Sequence, residues 1–170
     1  MDNYNVLNFG AKPDGKSDST QAFHKAWGSA CNSTQTATIY VPRGRFLLKN
    51  VVFRGLCKSR IEFWIDGTLV APSDYRVIGD SSGYWILFVE VNCVSVIGGT
   101  LDAKGGAFWA CLTSGKNCLV GARKNKCSKM QRFITEDGVR KSEFKSKWEA
   151  SLFIDVKVAA GFELNSSVRL

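Results

Sequence analysis

The stretch Ile65-Asp66-Gly67-Thr68-Leu69 returns at positions 97–102 as Ile97-Gly98-Gly99-Thr100-Leu101-Asp102, 32 residues further along. Each copy follows an apolar run, Ile61 to Ile65 in the first case and Val94 to Ile97 in the second. Strand, glycine turn, short strand is the grammar of a solenoid rung, in which one unit cannot bury its face alone and stacks on the next. Outward from this pair lie further short runs at 38–41, 46–48, 51–53, 68–70 and 85–89, separated by glycine and polar turns. Thr, Ile, Val, Phe and Tyr dominate them, which favours strands. Many short strands without alternating helices predict an all-β architecture.

One segment of helical period interrupts the strands before residue 118. Ala22, Phe23, Ala26, Trp27 and Ala30 fall on one face, as in a helix that packs on a core. Asp18 reads as its N-cap, with Gln21 completing a capping box. The helix Asp18 to Ala30 would then close the open N-terminal end of the solenoid. Before it, residues 4–9 read as an opening strand and Gly10 to Lys16 as a turn. His24, the one histidine, sits beside the apolar face and reads as a solvated or capped surface side chain. Its solitude excludes a His-rich metal site, and only a triad built through it could be of the Ser-His-Asp kind.

Beyond residue 119 the grammar breaks. Gln131 to Val139 reads as a hairpin around Glu136-Asp137-Gly138. Phe144, Trp148 and Leu152 have helical spacing, and Leu152, Ile154, Val156 and Val158 alternate as in a strand. The solenoid is not expected to continue through this tail.

Composition sets further bounds. With 45% hydrophobic residues, 11 Phe and 5 Trp, disorder is excluded and a single cored domain is expected. No apolar run reaches the roughly 18 residues of a membrane span. Met1-Asp2-Asn3-Tyr4 lacks the basic and apolar runs of a secretory signal, so the chain as written would stay in the cytosol. Lys plus Arg number 23 against 15 Asp plus Glu, a net charge of +8, and residues 119–170 hold most of the excess. Such a chain favours anionic partners. The densest basic run, Arg123 to Lys129, has no interleaved aromatics, which argues against nucleic acid.

Six cysteines stand at 31, 57, 93, 111, 118 and 127. None form C-x-x-C, which argues against a zinc ribbon or a thioredoxin-like site. An even number in a small domain suggests disulfides, and spacing does not choose among fifteen pairings. Cys111 and Cys118 form the easiest local pair. Cys93, inside the apolar run Val91 to Val96, reads equally as a buried thiol or a bridge. Asn32-Ser33-Thr34 and Asn165-Ser166-Ser167 are glycosylation sequons, which makes Asn32 and Asn165 candidate acceptors.

Longer motifs point to a family. Tyr4-Asn5-Val6, then Phe9-Gly10-Ala11-Lys12-Pro13-Asp14-Gly15-Lys16-Ser17-Asp18-Ser19-Thr20-Gln21-Ala22-Phe23, resembles the opening of plant polygalacturonases. So do Ile39-Tyr40-Val41-Pro42-Arg43-Gly44-Arg45-Phe46, Asp66-Gly67-Thr68-Leu69-Val70-Ala71-Pro72, Gly98-Gly99-Thr100-Leu101-Asp102, Trp109-Ala110-Cys111 and Cys118. The resemblance covers residues 4–123. It divides the chain into an N-terminal β-helix part, 1–123, and an unrelated basic tail, 124–170. It implies a right-handed parallel β-helix with an N-terminal capping helix, truncated after its first rungs. The implied family is glycoside hydrolase family 28, secreted to the plant cell wall and hydrolysing pectin with inversion. The implied partner is an acidic polysaccharide, with no cofactor, metal, nucleic acid or membrane. Bridges Cys31–Cys57 and Cys111–Cys118 are also implied, with Cys93 unpaired where the family usually has glycine.

Inverting hydrolysis needs one carboxylic acid to protonate the leaving oxygen and a carboxylate to activate water on the opposite face. The family draws these from an Asn-Thr-Asp motif and an Asp-Asp pair, supported by Gly-His-Gly and Arg-Ile-Lys. This sequence has no Asn-Thr-Asp and no adjacent aspartates, His24 lacks flanking glycines, and Arg60-Ile61-Glu62 ends in an acid. No residue is therefore carried over as catalytic. Asp14, Asp18, Asp66, Asp74 and Asp102 read as turn formers and caps, with Asp66 and Asp102 bonding their own backbone. The expectation is an inactive relative. The alternatives are a non-catalytic remnant that binds acidic polysaccharide, or the product of a faulty gene model, in which a frameshift, a retained intron or a truncated gene supplied the tail. A solenoid end without its neighbour predicts self-association.

Overall fold

The computed structural model describes residues 1–74, 77, 85–102, 104 and 154–164. Strand β1 (Asp2–Asn5) leads through a 3₁₀ turn (Val6–Phe9) to β2 (Asp14–Asp18) and helix α1 (Thr20–Asn32). There follow β3 (Ala37–Val41), β4 (Arg45–Leu47), β5 (Val51–Arg54), β6 (Ile61–Ile65), β7 (Thr68–Val70), β8 (Ile86–Ile97), β9 (Thr100–Asp102) and β10 (Ile154–Leu164). All the pairings are parallel. One sheet runs β1-β3-β6-β8-β10, with β5 also on β8, and the other runs β2-β4-β7-β9. The chain winds repeatedly between the two sheets, with all these strands parallel, which makes a parallel β-helix.

Alternation within the strands builds the interior. Ala37, Ile39 and Val41 of β3 lie opposite Ile61, Phe63 and Ile65 of β6, and all six are buried. In the second sheet Phe46, Leu69 and Leu101 stack in register and are buried. The repeated glycine turn is the corner between the sheets. A Cβ on Gly67 would stand 2.5 Å from the Pro42 carbonyl oxygen, so the rungs stack this closely only without a side chain there. Corner bonds to corner: the Thr68 amide donates to the Gly44 carbonyl at 2.8 Å, and the Thr100 amide to that of Gly67 at 3.1 Å.

Helix α1 lies over the first turns. Its expected apolar residues are buried, and the Trp27 indole N–H donates to the Arg54 carbonyl at 2.8 Å. The helix starts later than expected. Ser19 holds the N-cap position without a side-chain bond to the helix, and the Asp18 carboxylate instead accepts from the Thr20 amide and hydroxyl. No capping box with Gln21 forms. The second carboxylate oxygen of Asp18 is met by the Lys49 ammonium at 3.1 Å.

Three other expectations change. The opening strand ends at Asn5, because that side chain accepts from the Leu7 amide at 2.9 Å and starts the 3₁₀ turn. The stretch read as a turn at 10–16 already contains strand β2, which pairs with β4 only at Asp14↔Arg45 and Asp18↔Leu47. Between those positions the chain loops around the Asp14 carboxylate. Finally, the two runs at 85–89 and 94–97 form one strand, β8. It bends at Glu90 and Cys93, whose φ values are 55° and 52°. Its first half lies beside β5 and its second beside β6.

Strand β10 corrects the expectation that parallel stacking stops before the tail, since it pairs with both halves of β8, from Ile154↔Ile86 to Leu164↔Val96. The register shifts around Val158, opposite the bend in β8. The hairpin expected at 131–139 and the helix expected at 144–152 lie outside the described residues.

Candidate functional site

The aspartates are the natural place to look for hydrolytic chemistry, and they are distributed along the outside of the corners. Asp14 accepts from the Lys16 and Ser17 amides at 2.8 Å and from the Ser17 hydroxyl at 2.6 Å. The Ser17 hydroxyl and these amides lower its pKa to about 2. Asp18 is held by Thr20 and Lys49; burial acts against ionisation, but those bonds outweigh it and keep the carboxyl below its usual range. At Asp102 the same contest is decided by Lys104, at 2.9 Å, and Arg45, at 3.0 Å. The Lys104 amide also donates to it at 3.3 Å, the local turn bond expected from the sequence. Asp74 contributes its carbonyl, which accepts from the Val77 amide at 3.1 Å.

Asp66 departs from its expected turn role. Its carboxylate accepts from the Tyr40 hydroxyl at 2.7 Å and from the Trp64 indole N–H at 3.2 Å. That hydrogen bond, with the nearby negative charge, raises the Tyr40 pKa, against the pull of the Arg43 cation. The arrangement follows from strand alternation. Phe63 and Ile65 point into the core, so Trp64 between them points out and is 47% exposed. Tyr40 stands beside it in register and Ile97 on its other side. One step back along the same outer face run Thr38, Glu62 and Ser95, with the Arg60 guanidinium at 2.9 Å from the Ser95 hydroxyl and 3.4 Å from the Glu62 carboxylate. The trio Tyr40, Trp64 and Asp66 was not picked out from the sequence. The signal was present in the alternation of Ile61 to Ile65, which leaves the one tryptophan of that run facing outward.

Cys31 and Cys57 form a disulfide, 26 residues apart in sequence, joining the end of α1 to the loop after β5. Cys93 is a free and exposed thiol. That corrects the reading of a buried thiol or a bridge: the bend in β8 turns its side chain out of the apolar run. His24 is half-buried rather than solvated, with its ring centroid 6.1 Å from that of Phe53, and burial lowers its pKa. Asn32 is exposed at the last position of α1, its amide donating to the Gly28 carbonyl at 2.9 Å. Cys111, Cys118, Cys127 and Asn165 lie outside the described residues. Among the described residues no three His, Cys, Asp or Glu side chains gather as metal ligands, and no helix is long and apolar enough to cross a membrane.

Comparison with known proteins identifies the lineage. The chain is 55% identical to a polygalacturonase of Prunus persica over 121 residues, 70% of this chain and 30% of that protein. It is 44% identical to polygalacturonase ADPG1 of Arabidopsis thaliana over 137 residues, 76% of this chain and 30% of that protein. It thus spans 30% of the length of both plant relatives. A crystal structure of a hyperthermoactive exopolygalacturonase from Thermotoga maritima aligns with a TM-score of 0.49 and 22% identity, over 61% of this chain and 25% of that one. The family model for rhamnogalacturonase A/epimerase, pectate lyase-like proteins matches residues 3–94, more than half of the chain. This chain belongs to the rhamnogalacturonase A/epimerase, pectate lyase-like family.

Proposed function

We propose that the chain carries the first rungs of a pectin-hydrolysing polygalacturonase fold. By itself it binds acidic polysaccharide and does not cleave it. The observation that carries this reading is the state of the carboxylates. Asp14, Asp18, Asp66 and Asp102 each spend their oxygens on turns, caps, rings or cations of the chain itself. An inverting mechanism needs two carboxyl groups facing one another across a bound sugar with room for water, roughly 6.5–9.5 Å apart. Carboxylates each bonded to groups of the chain itself are not free to act as that pair. Residues 1–123 are read as the β-helix part and 124–170 as a basic tail outside the family pattern. The net charge of +8 supports an anionic partner. The lineage, the sequons at Asn32 and Asn165 and the disulfide support a place in the plant cell wall. Among the described residues β9 is an edge strand of its sheet, which supports self-association.

The test uses the full chain and polygalacturonate. Retention on the immobilised polymer that weakens with salt, with no release of reducing ends, is the expected result. Turnover that disappears when one of the four aspartates is replaced would overturn the non-catalytic reading. Absence of retention at low salt would overturn the binding reading.

A further inference from the structure

The outer face of the β3-β6-β8 sheet has the makings of a second contact surface. Tyr40, Trp64 and Ile97 lie side by side at one register, on three successive strands. Neighbouring strands stand about 4.8 Å apart, close to the rise per residue of an extended 1,4-linked pyranose chain. A sugar chain lying across the strands would therefore meet one side chain of this row per residue or nearly so. The row is also fixed in place. One carboxylate, Asp66, holds both the Trp64 N–H and the Tyr40 hydroxyl, so the rings lose little freedom when a ligand lies on them. An exposed tryptophan with its polar edge already bonded presents its apolar face to solvent, the surface that C–H groups of a pyranose ring cover.

Charge selects the kind of sugar. On a chain of net charge +8, this face is balanced. Glu62 is paired with Arg60, and the phenol that donates to Asp66 also feels the Arg43 cation. With the acids matched by cations, the face lacks the net positive charge that would draw a polyuronate. The Glu62 and Asp66 carboxylates still offer acceptors to sugar hydroxyls, since each carboxylate oxygen accepts more than one hydrogen bond. We infer that the Tyr40–Trp64–Ile97 row is a docking surface for an extended neutral polysaccharide. This does not rest on the proposed function above.

The experiment titrates the full chain with cellohexaose and, separately, with hexagalacturonate, by calorimetry at low and high salt. Cellohexaose is expected to bind with little salt dependence, and W64A to weaken that binding about tenfold. W64F keeps a flat ring without the N–H, so a smaller loss of about threefold is expected, and it serves as the reading if W64A does not fold. Melting curves establish that each variant is folded. The inference is overturned by an intact chain that does not bind cellohexaose, or by a folded W64A or W64F that binds as well as the parent. It is equally overturned if hexagalacturonate is the ligand whose binding Trp64 controls. Salt-sensitive binding of hexagalacturonate that W64A leaves unchanged belongs to the proposed function, and its absence would leave the present inference standing.

Discussion

At the α1 end the rungs are closed by side chains. Trp27 reaches down among Phe53, Phe63 and Phe88, with ring centroids 5.0, 5.9 and 6.0 Å away, and the disulfide ties the helix to the loop after β5. At the β9 end the means are different. Three residues pair with β7, the Ala71 amide donates to the Asp102 carbonyl at 2.8 Å, and Arg45 and Lys104 meet Asp102 at the surface. The first end joins parts of the chain that are distant in sequence through buried area. The second extends a ladder through backbone bonds, surface ion pairs, which contribute little each, and the single buried side chain of Leu101 stacked on Leu69. The difference implies that stability is concentrated where the helix sits, and substitutions can test this.

The largest effect is expected from W27A. It removes the ring at the centre of the aromatic cluster and leaves the Arg54 carbonyl without its side-chain donor. Truncation of a buried aromatic costs about 3–5 kcal/mol, to be read as a drop in the urea midpoint at unchanged slope. A loss below about 1 kcal/mol would mean the helix is an accessory and not a cap. Next comes the double replacement C31S with C57S. The bridge spans 26 residues of sequence, and removing such a cross-link costs about 2–4 kcal/mol. Reduction of the parent chain should lower its midpoint by a similar amount. If only the mutant is weakened, the cause is packing around Cys57, which is buried, and not the cross-link.

A glycine pair sharpens the comparison. Gly99 has φ +77°, and a Cβ there would lie 2.3 Å from Ile65 Cγ2. G99A should destabilise by roughly 1–3 kcal/mol, from backbone strain and overpacking together. Gly28, inside α1, has nothing within 4 Å of where its Cβ would be. G28A should stabilise by about 0.5–1 kcal/mol through the lower helix propensity of glycine. Thermal melts of the two variants should therefore move in opposite directions. A fall for G28A would mean that α1 is held in a geometry that a regular helix does not have.

These expectations track what was legible in the sequence. The repeated glycine turn and the alternation within each strand were readable because both are local: a corner needs glycine where rungs touch, and period two marks a strand with one buried face. The helical face of α1 was readable for the same reason. The capping detail was not, because Asp18 is claimed by Thr20 and by Lys49, a residue far away in sequence. The single strand β8 was read as two because Glu90 and Cys93 interrupt the apolar pattern, whereas the bends keep pairing to neighbours on both sides. Asp66 was read as a turn former because its stronger partner, Tyr40, 26 residues away, becomes a neighbour only when the rungs stack, although Trp64 stands just two residues before it. Parallel stacking brings together residues about one rung apart, and no local pattern marks such pairs.

The smallest effect is expected at Asp14, and its sign is set by linkage. The Ser17 hydroxyl and the Lys16 and Ser17 amides bond the ionised carboxylate and hold its pKa at about 2, below the ordinary 3.8. The folded state thus binds this proton less readily than the unfolded chain does, so ionised Asp14 contributes to stability above the unfolded pKa. The contribution fades as pH falls from about 4 toward 2 and is gone once both states are protonated. Asp14 lies on the surface, so the amount is small, and a difference measurement is needed. The parent and D14A should differ most in urea midpoint near pH 6, and the gap should close as the pH is lowered through this window. A gap that stays constant down to pH 2 would mean that the loop between the two β2–β4 contacts is shaped by its backbone alone. The carboxylate would then be a passenger there, and the link between β2 and β4 would resemble the backbone-held β9 end more than the side-chain-held end beneath α1.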